Sequence, residues 1–175
     1  MKKILVVSHC ILNTASKVEQ DEKELANEYR LKARLMHLVL EQNVQLFQLP
    51  CPEFIMYGSK RWGHVRDQFE HPHFREQCRK MLKPVVMQLE EYLSYPEKFH
   101  VIGIVSVEGS PSCGIRLTCT GDWGGEMDSD IGAIRDTLSM QEEPGVFMEI
   151  LNEELKNKSM DVSIITMEEA ISLLS

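Results

Sequence analysis

The sequence predicts an α/β fold of three layers, Rossmann-like or flavodoxin-like, with a mostly parallel four-stranded sheet and helices on both faces. Three observations predict it. Four short runs rich in Val, Ile and Leu (residues 3–8, 44–49, 100–107 and 162–166) are near-continuously apolar, the pattern of strands covered on both sides. Helical periodicity fills most of the space between them. The order βαβαβ, then a glycine-rich stretch, then αβα, is that of a wound parallel sheet.

Each element has its own signal. The first strand, Ile4-Leu5-Val6-Val7, follows two lysines, and four apolar residues are too few for a signal-peptide core. A long helix is expected over residues 18–42, with Leu25, Tyr29, Ala33, Met36 and Leu40 at helical spacing. A second is expected over residues 74–93, kinked or split at Pro84, which lacks an N–H to donate. Pro144 reads as the first-turn residue of a helix reaching about residue 156. The last helix, residues 167–174, opens with Thr166 and Glu169 at capping-box spacing. Residues 113–130 hold Gly114, Gly121, Gly124 and Gly125 and read as a long loop over a site. With 175 residues, no repeat and no linker, residues 1–175 are expected to form a single domain.

Composition narrows the function classes. A net charge of -8 opposes binding to a nucleic acid polymer, which needs clustered Lys and Arg. No stretch approaches a membrane span, so a soluble, cytoplasmic protein is expected. In a reducing compartment the five cysteines are expected to pack, catalyse or ligate rather than pair.

Three cysteines stand at strand ends: Cys10 after the first strand, Cys51 after the second, and Cys113 after the third. Ligands of open α/β sheets bind beyond the carboxyl ends of the strands, where strand order reverses. If the first and third strands are neighbours there, three thiols distant in sequence meet at one edge. Thiolates select zinc, copper(I) or iron–sulfur clusters, and three protein ligands leave one coordination position open. Core packing is the competing reading of any single cysteine, and spacing without a Cys-x-x-Cys pair does not decide between them.

At these residues the chain resembles the 2-thiouracil desulfurase family. The resemblance rests on His9-Cys10-Ile11-Leu12-Asn13, on Cys51-Pro52-Glu53, and most strongly on Glu108-Gly109-Ser110-Pro111-Ser112-Cys113-Gly114. It implies a [4Fe–4S] cluster held by Cys10, Cys51 and Cys113, with one iron free to take sulfur from a thiolated small molecule. The expected activity is that of an iron–sulfur-dependent desulfidase acting by non-redox hydrolysis on a thiocarbonyl such as a thiolated nucleobase. Two stretches depart from the family pattern, Asn13-Thr14-Ala15-Ser16-Lys17 and the segment from Phe54 to Gly63, both where substrate contacts are expected. The chain reads as a divergent branch of desulfidases.

Within that frame Glu53, two residues past a ligand, is the expected general base or proton shuttle, with Ser110 and Ser112 as hydrogen-bonding or relay groups. Arg61 and Trp62 suit stacking on a flat heterocycle. The acidic loop bearing Trp123, Glu126 and Asp128 lacks calcium-loop spacing and reads as a lid bringing Trp123 or Glu126 over the substrate. Cys78 is expected in the core. Cys119 competes as a fourth ligand or sulfur acceptor. Two rival classes remain open on sequence grounds: a thiol redox enzyme using Cys10 as nucleophile, and a non-catalytic zinc-binding module.

Overall fold

The computed structural model describes residues 1–126 and 130–175; Asp128 of the acidic loop lies outside the described residues. Four parallel strands form the central sheet, β1 (Lys2–Val7), β2 (Gln45–Gln48), β3 (Phe99–Val105) and, as the last strand in sequence, Ile164–Ile165. The spatial order places β1 between β2 and β3, with Ile164–Ile165 at the far edge beside β3. The chain therefore leaves β1 toward one edge and returns to its other side. That reversal puts the carboxyl ends of β1 and β3 next to each other, with Val7 opposite Val105.

Side chains of successive strand residues point to opposite faces, and the core divides accordingly. Leu5, Val7 and Val105 pack with Leu35 and Val39 and with Ala170, Ile171 and Leu174 near the C-terminus. Val6 and Ile104 pack on the other face with Phe74, Cys78, Leu82 and Leu89, and with Val146, Phe147 and Ile150. Helices thus cover both faces, as the doubly apolar strand runs require. In chain order they are α1 (His9–Leu12), α2 (Glu22–Glu41), α3 (Pro52–Tyr57), α4 (Arg66–Phe69), α5 (Pro72–Leu93), α6 (Ile131–Asp136), α7 (Val146–Asn157) and α8 (Met167–Leu174). Among the described residues no helix is long and apolar enough to cross a membrane.

Four details differ from the sequence reading. The long helix α2 begins at Glu22, not near residue 18, because the Asp21 side chain accepts the Lys23 N–H and caps it. Lys17, Val18 and Gln20 of the preceding stretch instead line a pocket. Helix α5 is not split at Pro84: it is a single element of 22 residues. Its buried stripe, from Phe74 to Leu89, outweighs the roughly 3 kcal/mol that an interior proline costs. Pro144 stands before the cap of α7 rather than in its first turn; Gly145 is the N-cap. Finally, the glycine-rich stretch is not all loop. Thr118–Thr120 (β4) pairs antiparallel with Ser139–Gln141 (β5), and the last sheet strand is therefore β6. The capping box of α8 forms as read, with Thr166 Oγ1 accepting from Glu169 N at 3.2 Å and Glu169 accepting from Thr166 N at 2.8 Å.

Candidate functional site

The site is built where β1, β2 and β3 end. Ser8 closes β1, its hydroxyl donating to Val105 O at 2.8 Å, so the chain turns at once into α1 with Cys10 in that helix's first turn. Gln48 Nε2 donates to His9 O at 2.8 Å and ties this turn to β2. Cys51 is the N-cap of α3: its sulfur accepts the Phe54 N–H at 3.4 Å, and Pro52 supplies the fixed φ of a first helical turn. Glu53 follows in that turn and is buried.

The third turn is the most heavily supported. Glu108 accepts the N–H groups of Ile115, Arg116 and Leu117 at 3.1, 3.0 and 2.8 Å, and the Ser106 hydroxyl at 2.6 Å. One carboxylate thereby closes the loop around Cys113. From behind, α7 donates Val146 N to Pro111 O at 3.1 Å and Met148 N to Ser112 O at 3.1 Å. These are N–H groups at the start of a helix, which have no partner within it. Gly145 makes the contact possible, because a Cβ there would stand 2.5 Å from the Ser112 carbonyl carbon.

Cys10, Cys51, Cys113, Glu53, Arg61, Ser110 and Ser112 all line one pocket of about 420 Å³. Ser112 Oγ donates to Glu53 Oε1 at 2.6 Å and lies 3.5 Å from Cys113 Sγ. Ser110 Oγ stands 3.3 Å from Ser112 Oγ and accepts the Cys113 N–H at 3.0 Å. Carboxylate, two hydroxyls and a thiol therefore form one connected line. Among the described residues no group of three or more His, Cys, Asp or Glu side chains is close enough to hold a single metal ion. The three thiols border a cavity instead of converging on a point.

The remaining candidates divide. Arg61 reaches the pocket but is not free to stack on a ligand: its side chain is only 4% exposed and fully engaged. It donates to Ser16 O at 2.7 Å, Gly58 O at 3.1 Å and Glu53 Oε2 at 3.4 Å, joining the segment after Cys10 to the segment after Cys51. Trp62, at 69% exposed, Trp123 and Glu126 are not among the described residues lining the pocket. Cys119 sits on the β4–β5 ribbon outside the pocket lining. Cys78 lies fully buried in the core.

Sequence reasoning missed Gln20, Glu28, His64 and Glu108, and reached Lys17 only as the end of the divergent stretch from Asn13. Lys17 and Glu28 form an ion pair at the pocket wall, with 11% of the lysine side chain exposed. Their separation of eleven residues is no recognised spacing. Glu108 was visible only as the first letter of a turn motif.

Burial pushes the Cys10 thiol up to about 12, with Lys17 pulling against it and Cys51 adding to it. Burial likewise lifts Cys51, and lifts Cys113 well above the ordinary thiol range, with Cys10 and Cys51 adding to it. The same cause raises Cys78 to about 12. Groups whose folded pKa exceeds the unfolded one stabilise the fold below the unfolded value and lose that stabilisation as pH rises toward the folded one. The metal-free protein is therefore expected to lose thermal stability from about pH 9 to about pH 12. Melting curves across that range check this, and Cys78→Ala should flatten the slope; a melting temperature independent of pH there contradicts it.

Residues 1–127 match the family described as "Putative 2-thiouracil desulfurase". The chain belongs to that family. A protein of Methanocaldococcus jannaschii described as uncharacterized is 37% identical over 116 residues, covering 65% of this chain and 69% of its own length. No solved structure matches. The family match spans all three cysteine turns, including Glu53, Ser110 and Ser112.

Proposed function

We propose that this chain is a hydrolytic desulfurase that removes sulfur from a small thiolated molecule of the thiocarbonyl class, using a [4Fe–4S] cluster held by Cys10, Cys51 and Cys113. The observation that carries the reading is the shared pocket, lined by three thiols and by the Glu53–Ser112 pair. The donor set fits the group. Three soft sulfur ligands surround a cavity, and burial raises each thiol toward its neutral form, so each releases its proton on ligation and the charge is then matched by iron. When bound, the cluster supplies an iron with an open coordination position for the substrate sulfur.

The rest falls to the chain. The net reaction exchanges C=S for C=O, consuming one water and releasing hydrogen sulfide, with no net electron transfer. Glu53 is positioned to draw a proton from the attacking water through Ser112, whose hydroxyl already bonds to Glu53 Oε1 at 2.6 Å. Ser110 orients Ser112 and holds the Cys113 N–H. Arg61 fixes the Glu53 carboxylate and joins two ligand-bearing segments. The walls reduce water access, since Glu53 and Ser112 are buried. The thiol redox alternative is disfavoured by the same burial, which raises the thiols where a nucleophilic cysteine needs a lowered pKa.

Anaerobic reconstitution with iron and sulfide tests the proposal. About four iron and four acid-labile sulfide per chain are expected, as the cluster formula requires. Sulfide release from 2-thiouracil or 4-thiouracil should follow. Cys113→Ser should reduce bound iron to background and abolish sulfide release. Stoichiometric zinc without labile sulfide would overturn the cluster, and a loaded protein inert on both thiouracils would overturn the activity.

A further inference from the structure

Two cavities meet at Cys10. The pocket of about 420 Å³ and a neighbour of about 210 Å³ share Cys10, Lys17, Glu28 and Glu108 in their walls. The backbone holds Lys17 there from two directions. Its N–H donates to Thr14 O at 3.1 Å, closing the short turn Thr14–Ser16, and the preceding carbonyl, Ser16 O, accepts from Arg61 at 2.7 Å. Its side chain is 11% exposed and ion-paired with Glu28 of α2. An ammonium has three N–H donors, and among the described residues this one donates only to Glu28.

Charge balance gives the pair a task beyond tying a loop to a helix. Ligation strips the proton from each thiol and leaves three negative sulfurs in a partly buried site, where uncompensated charge is costly. Among the described residues the larger cavity is lined by two lysine or arginine side chains, Lys17 and Arg61, against four glutamates. Arg61 is spent on Glu53 and on two carbonyls. Lys17 keeps spare donors and acts on Cys10. After burial itself it is the largest influence on that thiol and favours the thiolate, with Glu28 opposing it more weakly. Coulombic interaction falls with distance, so the pair turns its ammonium end toward Cys10.

We propose that the Lys17–Glu28 pair is an oriented dipole that supplies counter-charge to the loaded centre, Lys17 facing the sulfur ligands and Glu28 fixing it from α2, and thereby sets the centre's reduction potential. This rests on the cluster reading and goes beyond it. Net charge is one of the levers that set an iron–sulfur potential. Loss of a cation beside the centre disfavours the reduced, more negative form, and loss of an anion favours it. A strap that merely tied residue 17 to α2 would respond alike to loss of either partner. The two roles differ in sign.

The experiment is a dye-mediated reductive titration of the reconstituted protein, followed by visible absorbance and electron paramagnetic resonance, with iron per chain counted on every sample. In Lys17→Met the oxidised-to-reduced ratio at a fixed potential is expected to rise about tenfold, a fall of about 59 mV for a one-electron couple. Glu28→Gln is expected to move the potential upward by a smaller step. Lys17→Arg, which keeps the charge, should stay near the parent. Shifts of one sign in both variants, or no shift in either, overturn the dipole and leave the cluster standing; so does loss of iron from both variants alike. If only one variant loads, the sign of its shift decides. A parent that takes up no iron overturns the cluster reading itself.

Discussion

Glu53→Gln is expected to lower the rate of sulfide release by about 10² to 10⁴, the range for loss of a positioned general base, while leaving bound iron unchanged. Glutamine keeps the shape of the side chain and can still accept from Ser112, whose hydroxyl is 2.6 Å away, but it cannot carry the proton. Ser112→Ala should give a smaller loss, because it removes the link but leaves the carboxylate. Single-turnover sulfide release with iron quantified on the same samples separates chemistry from loading. A Glu53→Gln protein that keeps its iron and releases sulfide at the parental rate would remove Glu53 from the reaction. An iron-free Glu53→Gln protein would instead place its role in assembling the site.

Gly114→Ala is expected to cost about 3 kcal/mol or more, because overpacking against backbone leaves nothing flexible to move. Its Cβ would stand 2.1 Å from Leu117 O and 3.0 Å from Ser110 O, inside the turn that carries Cys113. The turn must open, which disturbs the Glu108 hydrogen bonds and displaces the neighbouring thiol. Iron loading should fall with stability. Gly63→Ala is the control: a Cβ there meets nothing within 4 Å, so its effect should stay within about 0.5 kcal/mol. Urea or thermal unfolding of the metal-free proteins measures both. Equal stability of the two variants would contradict the close packing of the Cys113 turn.

Much of the architecture was legible because its signals are local. The run Ile4-Leu5-Val6-Val7 has no polar face, and it proved to be an inner strand with helices on both sides. Thr166 and Glu169 announce a helix start by their spacing alone. What failed to show depends on distant partners or on exposed residues. β4 and β5 are three residues each with a single apolar residue apiece, too short for an alternation to stand out; Ser139–Gln141 is exposed throughout, and the two strands pair across an intervening helix. Arg61 looks from sequence like a ligand-stacking residue beside a tryptophan. Its actual partners, Ser16 O and Glu53, come from elements that only the fold brings near. Gln20 gave no signal, because its place in the pocket wall becomes visible only when everything around it has been placed.

The region shared with the family ends at residue 127, yet the backing of the third thiol lies beyond it. Gly145, Val146 and Met148 hold the Gly114, Pro111 and Ser112 carbonyls, and Phe147 and Ile150 fill the space behind β1 and β3. A shortened version drawn at the homologous boundary would contain every sulfur ligand and still lack the wall against which one of them is braced. The reactive groups and their mounting thus occupy different parts of the chain, so substitutions in the C-terminal quarter should count as changes to the centre itself.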